Sequence, residues 1–246
     1  MATTKIATNN TKNKIQQSKL LVTNDIMSEY RKISYPFSED VLAKFKACGD
    51  RIIGDYVIDE KNKFVITNVI KWLFGEDFQQ NIPGKKSTIE GKHNQGIYIA
   101  GPCGTGKSML LKVFQKFAED YQQKIIINNK EIGCHWATYN AHELVNRFRN
   151  GDDLSSLYKI PIIHIDDLGA EPTLAQYMGN KVNVLQEILE VRSDKGVMTF
   201  ITSNIKPYDD RVESIEDKYG ERLASRLNCL NYFSLKGEDR RKSNNY

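Results

Sequence analysis

The residues Gly101-Pro102-Cys103-Gly104-Thr105-Gly106-Lys107-Ser108 spell G-x-x-x-x-G-K-S, the spacing of a phosphate-binding loop. Glycines there let the backbone curl so that its N–H groups face an anion, and a helix beginning at Lys107 adds the positive end of its dipole. Lys107 then reaches the β- and γ-phosphates of a nucleoside triphosphate, and the Ser108 hydroxyl is a ligand for Mg²⁺. The nucleotide-holding residues are expected to run from Gly101 through Ser108 to Met109, with ATP and Mg²⁺ as cofactors.

A second run, Ile162-Ile163-His164-Ile165-Asp166-Asp167-Leu168-Gly169, is apolar and ends in two acids. A buried parallel strand delivers its C-terminal residues to the crevice where phosphates lie. Asp166 can hold Mg²⁺ there, directly or through water, and Asp167 can polarise the attacking water; the plain alternative is a polar turn. His164, inside the run, reads as a satisfied core histidine. A third run, Phe200-Ile201-Thr202-Ser203-Asn204, brings an amide to the same edge, where Asn204 could bond both the γ-phosphate and the water. Ser-Asn is also ordinary turn chemistry. Arg222 and Arg226, four apart in Tyr219–Leu227, share a helical face. An arginine given to a neighbouring subunit's phosphate would stabilise charge developing in phosphoryl transfer; otherwise the face is a solvated one, paired with Glu221.

Positioning these strand ends requires alternating strands and helices, the pattern of a parallel sheet covered on both faces. Strands are expected over 96–100, 134–139, 160–165 and 197–202, and helices over 107–121, 141–148, 182–192 and 213–227. Upstream, Ser38 is placed to cap a helix, and Ile66, Val69, Ile70 and Leu73 mark another that Gly75 would end. Pro83, Gly84 and Gly91 suggest a linker over 81–95. The expected units are a disordered basic tail (1–20), a helical N-terminal region with its linker (21–89) and an ATPase domain (90–246).

The 246 residues carry 35 basic and 31 acidic side chains, a balance too even to argue nucleic-acid binding from charge. Cys48, Cys103, Cys134 and Cys229 have no C-x-x-C spacing, which argues against a zinc cluster or a disulfide framework. No apolar run approaches the roughly 20 residues that span a bilayer, so a cytoplasmic protein without membrane partners is expected.

Together GPCGTGKS, IIHIDDLGAE, NVLQEILEVRSDKGVMTFITSN, YGERLASRL and LKGEDRRK resemble the AAA+ ATPases of the initiator and helicase-loader branch. Within that branch they are most similar to DnaC-type helicase loaders and IstB-type transposition helpers, over residues 90 to 242. The resemblance implies a P-loop parallel sheet with flanking helices behind a small helical partner-binding region. It implies that Asp166 is the Mg²⁺-linked acid, Asp167 the water-activating acid, Asn204 the first sensor, Arg226 the trans-acting finger and Arg241 a second-sensor arginine. The helix around 141–150 resembles one that lines a single-stranded DNA path, where Arg147, Phe148 and Arg149 set two cations beside an aromatic; a solvated face is the other reading. Trp72 and Phe74 are candidates for partner docking or for core packing. The implied function is ATP-dependent loading of a replicative helicase onto single-stranded DNA, with self-association at the ATP site. A transposition helper acting with a transposase is the alternative. A P-loop small-molecule kinase fits less well, because Asp-Asp and Ser-Asn strand ends are those of a hydrolase.

Overall fold

The computed structural model describes residues 38–206 and 214–240. The expected tail, residues 21–37 and Arg241 lie outside the described residues.

Helix α1 (Glu39–Ile53) starts where Ser38 accepts the Val41 N–H at 3.3 Å and ends at Gly54, φ +87°. Helix α2 (Lys63–Phe74) stops at Gly75 in the left-handed region. The stretch expected to be a linker holds an antiparallel hairpin, β1 (Gln79–Asn81) with β2 (Thr88–Glu90), and Pro83-Gly84 is its turn. There follow β3 (Ile97–Ala100), α3 (Lys107–Asp120), a second hairpin of β4 (Lys124–Ile127) and β5 (Lys130–Gly133), β6 (Ala137–Asn140) and α4 (Ala141–Arg149). After a 3₁₀ turn at Ser155–Tyr158 come β7 (Ile162–Leu168) and a third hairpin, β8 (Ala175–Tyr177) with β9 (Asn180–Val182). The chain continues as α5 (Val184–Asp194), β10 (Met198–Ser203), α6 (Ile215–Tyr219), α7 (Glu221–Leu227) and β11 (Asn231–Ser234).

Two expectations are corrected here. The helix expected from Val182 begins at Val184, because 180–182 pair as β9. The helix expected over 213–227 is two helices, broken at Gly220, whose φ of +86° leaves the helical region.

Five strands form one sheet in the order β11-β3-β10-β7-β6, every neighbour parallel. Successive strand residues point to opposite faces. Ile97, Ile99, Ile162 and Phe200 therefore join the apolar layer under α1, α2 and α3, while Tyr98, Ile163, Ile165 and Ile201 join the layer under α4, α5, α6 and α7. Trp72 and Phe74 are fully buried in the first layer, with Trp72 edge-on to Phe200 at 5.6 Å, so core packing is their use. That layer is continuous from α1 into the sheet across residue 90.

On the other face Arg192 of α5 is completely buried. Its guanidinium donates to the carbonyls of Leu157 (2.5 Å), Ile160 (2.8 Å) and Met198 (2.6 Å) and to the Thr199 hydroxyl (2.9 Å). Among the described residues, no helix is long and apolar enough to cross a membrane.

Candidate functional site

The glycine loop joins β3 to α3, with Gly104 at φ +77° and Gly106 at +90°, values that L side chains avoid. Thr105 Oγ1 donates to the Pro102 carbonyl at 2.9 Å and closes the loop on itself. Lys107 is buried at the first position of α3, and its ammonium donates to Gly101 O (2.8 Å), Pro102 O (3.0 Å) and Asn204 Oδ1 (2.7 Å). The loop and the end of β10 are thus joined through one lysine. Met109 packs against the core beneath α3.

Ser108, one residue on, donates to Asp166 Oδ1 at 2.6 Å. The same oxygen accepts from Thr202 Oγ1, which also contacts His164 Nε2 at 3.3 Å and accepts the Asp167 N–H at 3.2 Å. His164 Nδ1 lies 3.1 Å from Thr138 Oγ1 on β6. Burial lowers the His164 pKa to about 4 although Asp166 pulls it upward, so the ring is neutral at pH 7 and serves as the satisfied core histidine that was expected. Thr138 and Thr202 escaped the sequence reasoning. A threonine inside an apolar strand looks like a β-branched space filler, and only the register of three strands brings these hydroxyls together.

The register also explains how two adjacent acids can serve one site. In a regular strand Asp166 and Asp167 would point to opposite faces. The β7–β10 pairing runs from Ile165↔Ile201 to Leu168↔Ser203, so Asp166 and Asp167 together oppose the single residue Thr202. This is a β-bulge, and it puts Asp167 at φ +55°, a rare value for a residue with a side chain. Gly169 follows at φ +99°, and Ala170 N–H bonds Asp167 O at 3.1 Å to close the turn.

A strap from the end of the chain crosses the glycine loop. Leu235 N–H bonds Ala100 O at 2.8 Å, and Arg240 N–H bonds Gly104 O at 3.0 Å. A Cβ on Gly104 would fall 2.0 Å from Asp239 Oδ1, and one on Gly101 would fall 2.4 Å from Leu235 O. The Arg240 guanidinium bonds both oxygens of Asp59, each at 2.9 Å, tying the strap to the loop between α1 and α2. Burial opposes the Asp59 charge, yet Arg240 and the N–H groups of Lys61 and Asn62 hold that carboxyl below its ordinary range. Asp59 carried no sequence signal, since an isolated charge in a loop reads as solvated; Asp239 and Arg240 lie in the LKGEDRRK stretch, of which the sequence analysis gave a role to Arg241 alone.

Other candidates lie apart from this cluster. Arg226 on α7 bonds Asp194 Oδ1 at 2.5 Å and has Nη1 3.9 Å from Glu190 Oε2, both acids being on α5; that Nη1 makes no hydrogen bond among the described residues. Arg222 Nε lies 3.4 Å from the same Glu190 oxygen. On α4, Arg147 pairs with Asp152 at 2.9 Å, Phe148 is edge-on to Tyr177 at 6.1 Å and Arg149 is exposed.

Counting the sheet strands alone in chain order gives 5-1-4-3-2, with the phosphate loop after the first and the paired acids ending the third. The chain has the AAA+ P-loop fold. No family model matches it, and no curated protein matches its sequence. Solved structures with similar folds include DnaI, 20% identical over 75% of this chain and 87% of that one, with a TM-score of 0.47. A putative primosome component from Streptococcus pyogenes is 18% identical over 75% and 85% of the two chains (TM-score 0.49), and the DnaC helicase loader is 17% identical over 76% and 96% (TM-score 0.48). In this AAA+ frame the residues gathered at the carboxyl ends of β3, β7 and β10 are Lys107, Ser108, Asp166, Asp167 and Asn204, while Arg226 and α4 lie elsewhere on the sheet's flank.

Proposed function

We propose that this protein is an ATPase of the DnaC-type loader branch that places a replicative helicase on single-stranded DNA. The observation that carries the ATPase reading is a pair of hydrogen bonds at the start of α3, Lys107 to Asn204 and Ser108 to Asp166, beside a glycine loop. The loop's N–H groups and the start of α3 bind phosphate oxygens. Lys107 exchanges the carbonyls of its own loop for those oxygens, and Asn204, already bonded to Lys107, meets the same phosphate. Ser108 Oγ and Asp166 Oδ1, 2.6 Å apart, are a hydroxyl and a carboxylate of the type that holds Mg²⁺ alongside triphosphate oxygens and water, and bound Mg²⁺ would neutralise phosphate charge. Asp167, set on its bulge one residue beyond, polarises the attacking water.

The partner assignment rests on the motif resemblance, which extends from the glycine loop to the C-terminal arginines. By it Arg226 serves a neighbouring subunit's nucleotide, Arg241 acts as the second-sensor arginine, and the α4 face of Arg147, Phe148 and Arg149 follows single-stranded DNA. The helical residues ahead of the sheet grip the helicase, and the protein works in the cytoplasm. The test is nucleotide binding and turnover followed by capture of partners from host lysate with ATP and with ADP. Lys107→Ala is expected to abolish ATP binding, and Asp167→Asn to keep binding while slowing hydrolysis at least about 100-fold. Unchanged turnover in Asp167→Asn defeats the catalytic assignment. Recovery of a transposase in place of a replicative helicase transfers the same engine to a transposition helper.

A further inference from the structure

The residue that follows the catalytic turn is an acid with no role in the reading above. Glu171 is only 3% exposed, although a lone glutamate two residues past a glycine turn would ordinarily sit in water. Its Oε2 accepts the Gly169 N–H at 2.9 Å, and its Oε1 accepts the Tyr219 hydroxyl. Burial and the adjacent Glu171 charge both raise the Tyr219 pKa, so the phenol keeps its proton and remains the donor. From the same helix, Lys218 Nζ donates to the carbonyls of Gly169 and Glu171, the latter at 3.0 Å. The turn that begins at Asp167 is therefore held on both sides. Thr202 fixes its first N–H, and Tyr219 and Lys218 fix Gly169 and Glu171 at its end.

The partners are specific to position. Tyr219 and Lys218 end α6, and Gly220 alone separates them from α7, the helix that carries Arg222 and Arg226. A capping box, with Ser214 and Asp217 bonding each other's N–H, pins the start of α6. Movement of the Asp167 turn cannot leave α6 in place without breaking a buried acid's bonds.

We propose that Glu171 is a positioning residue for Asp167: with Tyr219 and Lys218 it fixes the hydrolytic turn to α6 and couples that turn to the arginines of α7. This rests on Asp167 being the water-polarising acid. Glu171 does not touch the nucleotide, so its loss alters the chemical step and spares binding.

Steady-state kinetics and ATP-analogue binding of full-length Glu171→Gln and Tyr219→Phe test it. The expected result is a kcat at least about tenfold lower, with KM and analogue affinity within about twofold of wild type, and a double variant no worse than the poorer single one. Hydrogen exchange at the amides of Gly169, Ala170 and residues 215–219 is expected to rise about tenfold in both variants, with α3 unchanged. Wild-type kcat in a folded Glu171→Gln protein overturns the proposal. So does a loss that affects kcat and affinity alike in proportion to the unfolded fraction. Should either variant fail to fold, Lys218→Met, which removes only the half-buried ammonium, must show the same kcat loss or the proposal falls. Failure of the ATPase reading is seen separately, as absence of turnover in the wild type.

Discussion

At the scale of single residues the site depends on groups that have no catalytic reputation. Thr202 supplies one hydroxyl to Asp166, to His164 and to the Asp167 N–H, and it is fully buried. Thr202→Val keeps the shape and strands all three, so turnover is expected to fall at least about tenfold with ATP affinity retained, whereas Thr202→Ser should keep most activity; paired kinetic and binding titrations check this. Gly104 makes the opposite case. A methyl group there meets the Asp239 carboxylate at 2.0 Å and forces a side chain into φ +77°. Gly104→Ala is therefore expected to weaken ATP-analogue binding by about tenfold or more, read by fluorescence titration, with a thermal midpoint lowered by a few degrees.

At the scale of elements the helices that bury an apolar stripe, and the apolar strands, were legible in the sequence, because burial imposes a period on them. What escaped was short or polar. The three hairpins over 79–90, 124–133 and 175–182 have strands of three or four residues, too brief for a period to show, and the Pro83-Gly84 turn of the first read as a linker. Gly220 breaks a run whose apolar spacing continues on both sides of it. The glycine loop was legible because phosphate binding fixes residue types at fixed offsets, and Asp166 and Asn204 because each closes an apolar run, while Glu171, Thr138 and Thr202 matter only through register. Arg192 was hidden for another reason: it continues the apolar stripe of Leu185, Ile188 and Leu189, but in the last turn of α5 a cation reads as an ordinary partner of the helix's negative end. In the fold it bonds three carbonyls and a hydroxyl, and although burial lowers its pKa to about 10 it stays charged at pH 7. Arg192→Met is expected to cost about 3 kcal/mol or more, measured as a lowered urea midpoint, because four partners, three of them in fully buried bonds, lose their donor. Arg192→Lys should not restore it, since one ammonium cannot span the fork.

At the scale of the whole molecule, Arg226 raises the question of which copy it serves. It is tethered to Asp194 and Glu190 on its own α5, on the layer of the sheet opposite α3. If Arg226 completes a neighbour's site, mixing Arg226→Ala subunits with Lys107→Ala subunits restores a measurable part of the ATPase that each lacks alone, since some interfaces then combine an intact loop with an intact arginine. Two inactive variants that still assemble but never complement assign Arg226 to its own subunit.

The position of β3 in the sheet has a consequence for how the protein is made. The strand that presents the phosphate loop lies between β10 and β11, whose pairing partners for it begin at Ile201 and Asn231. During synthesis residues 97–108 leave the ribosome long before either neighbour exists, so the loop emerges from a strand with two unpaired edges. Such distant pairing slows folding and leaves sticky edges exposed in the interim. The strand that bears the loop therefore gains its second neighbour only once β11 has been translated.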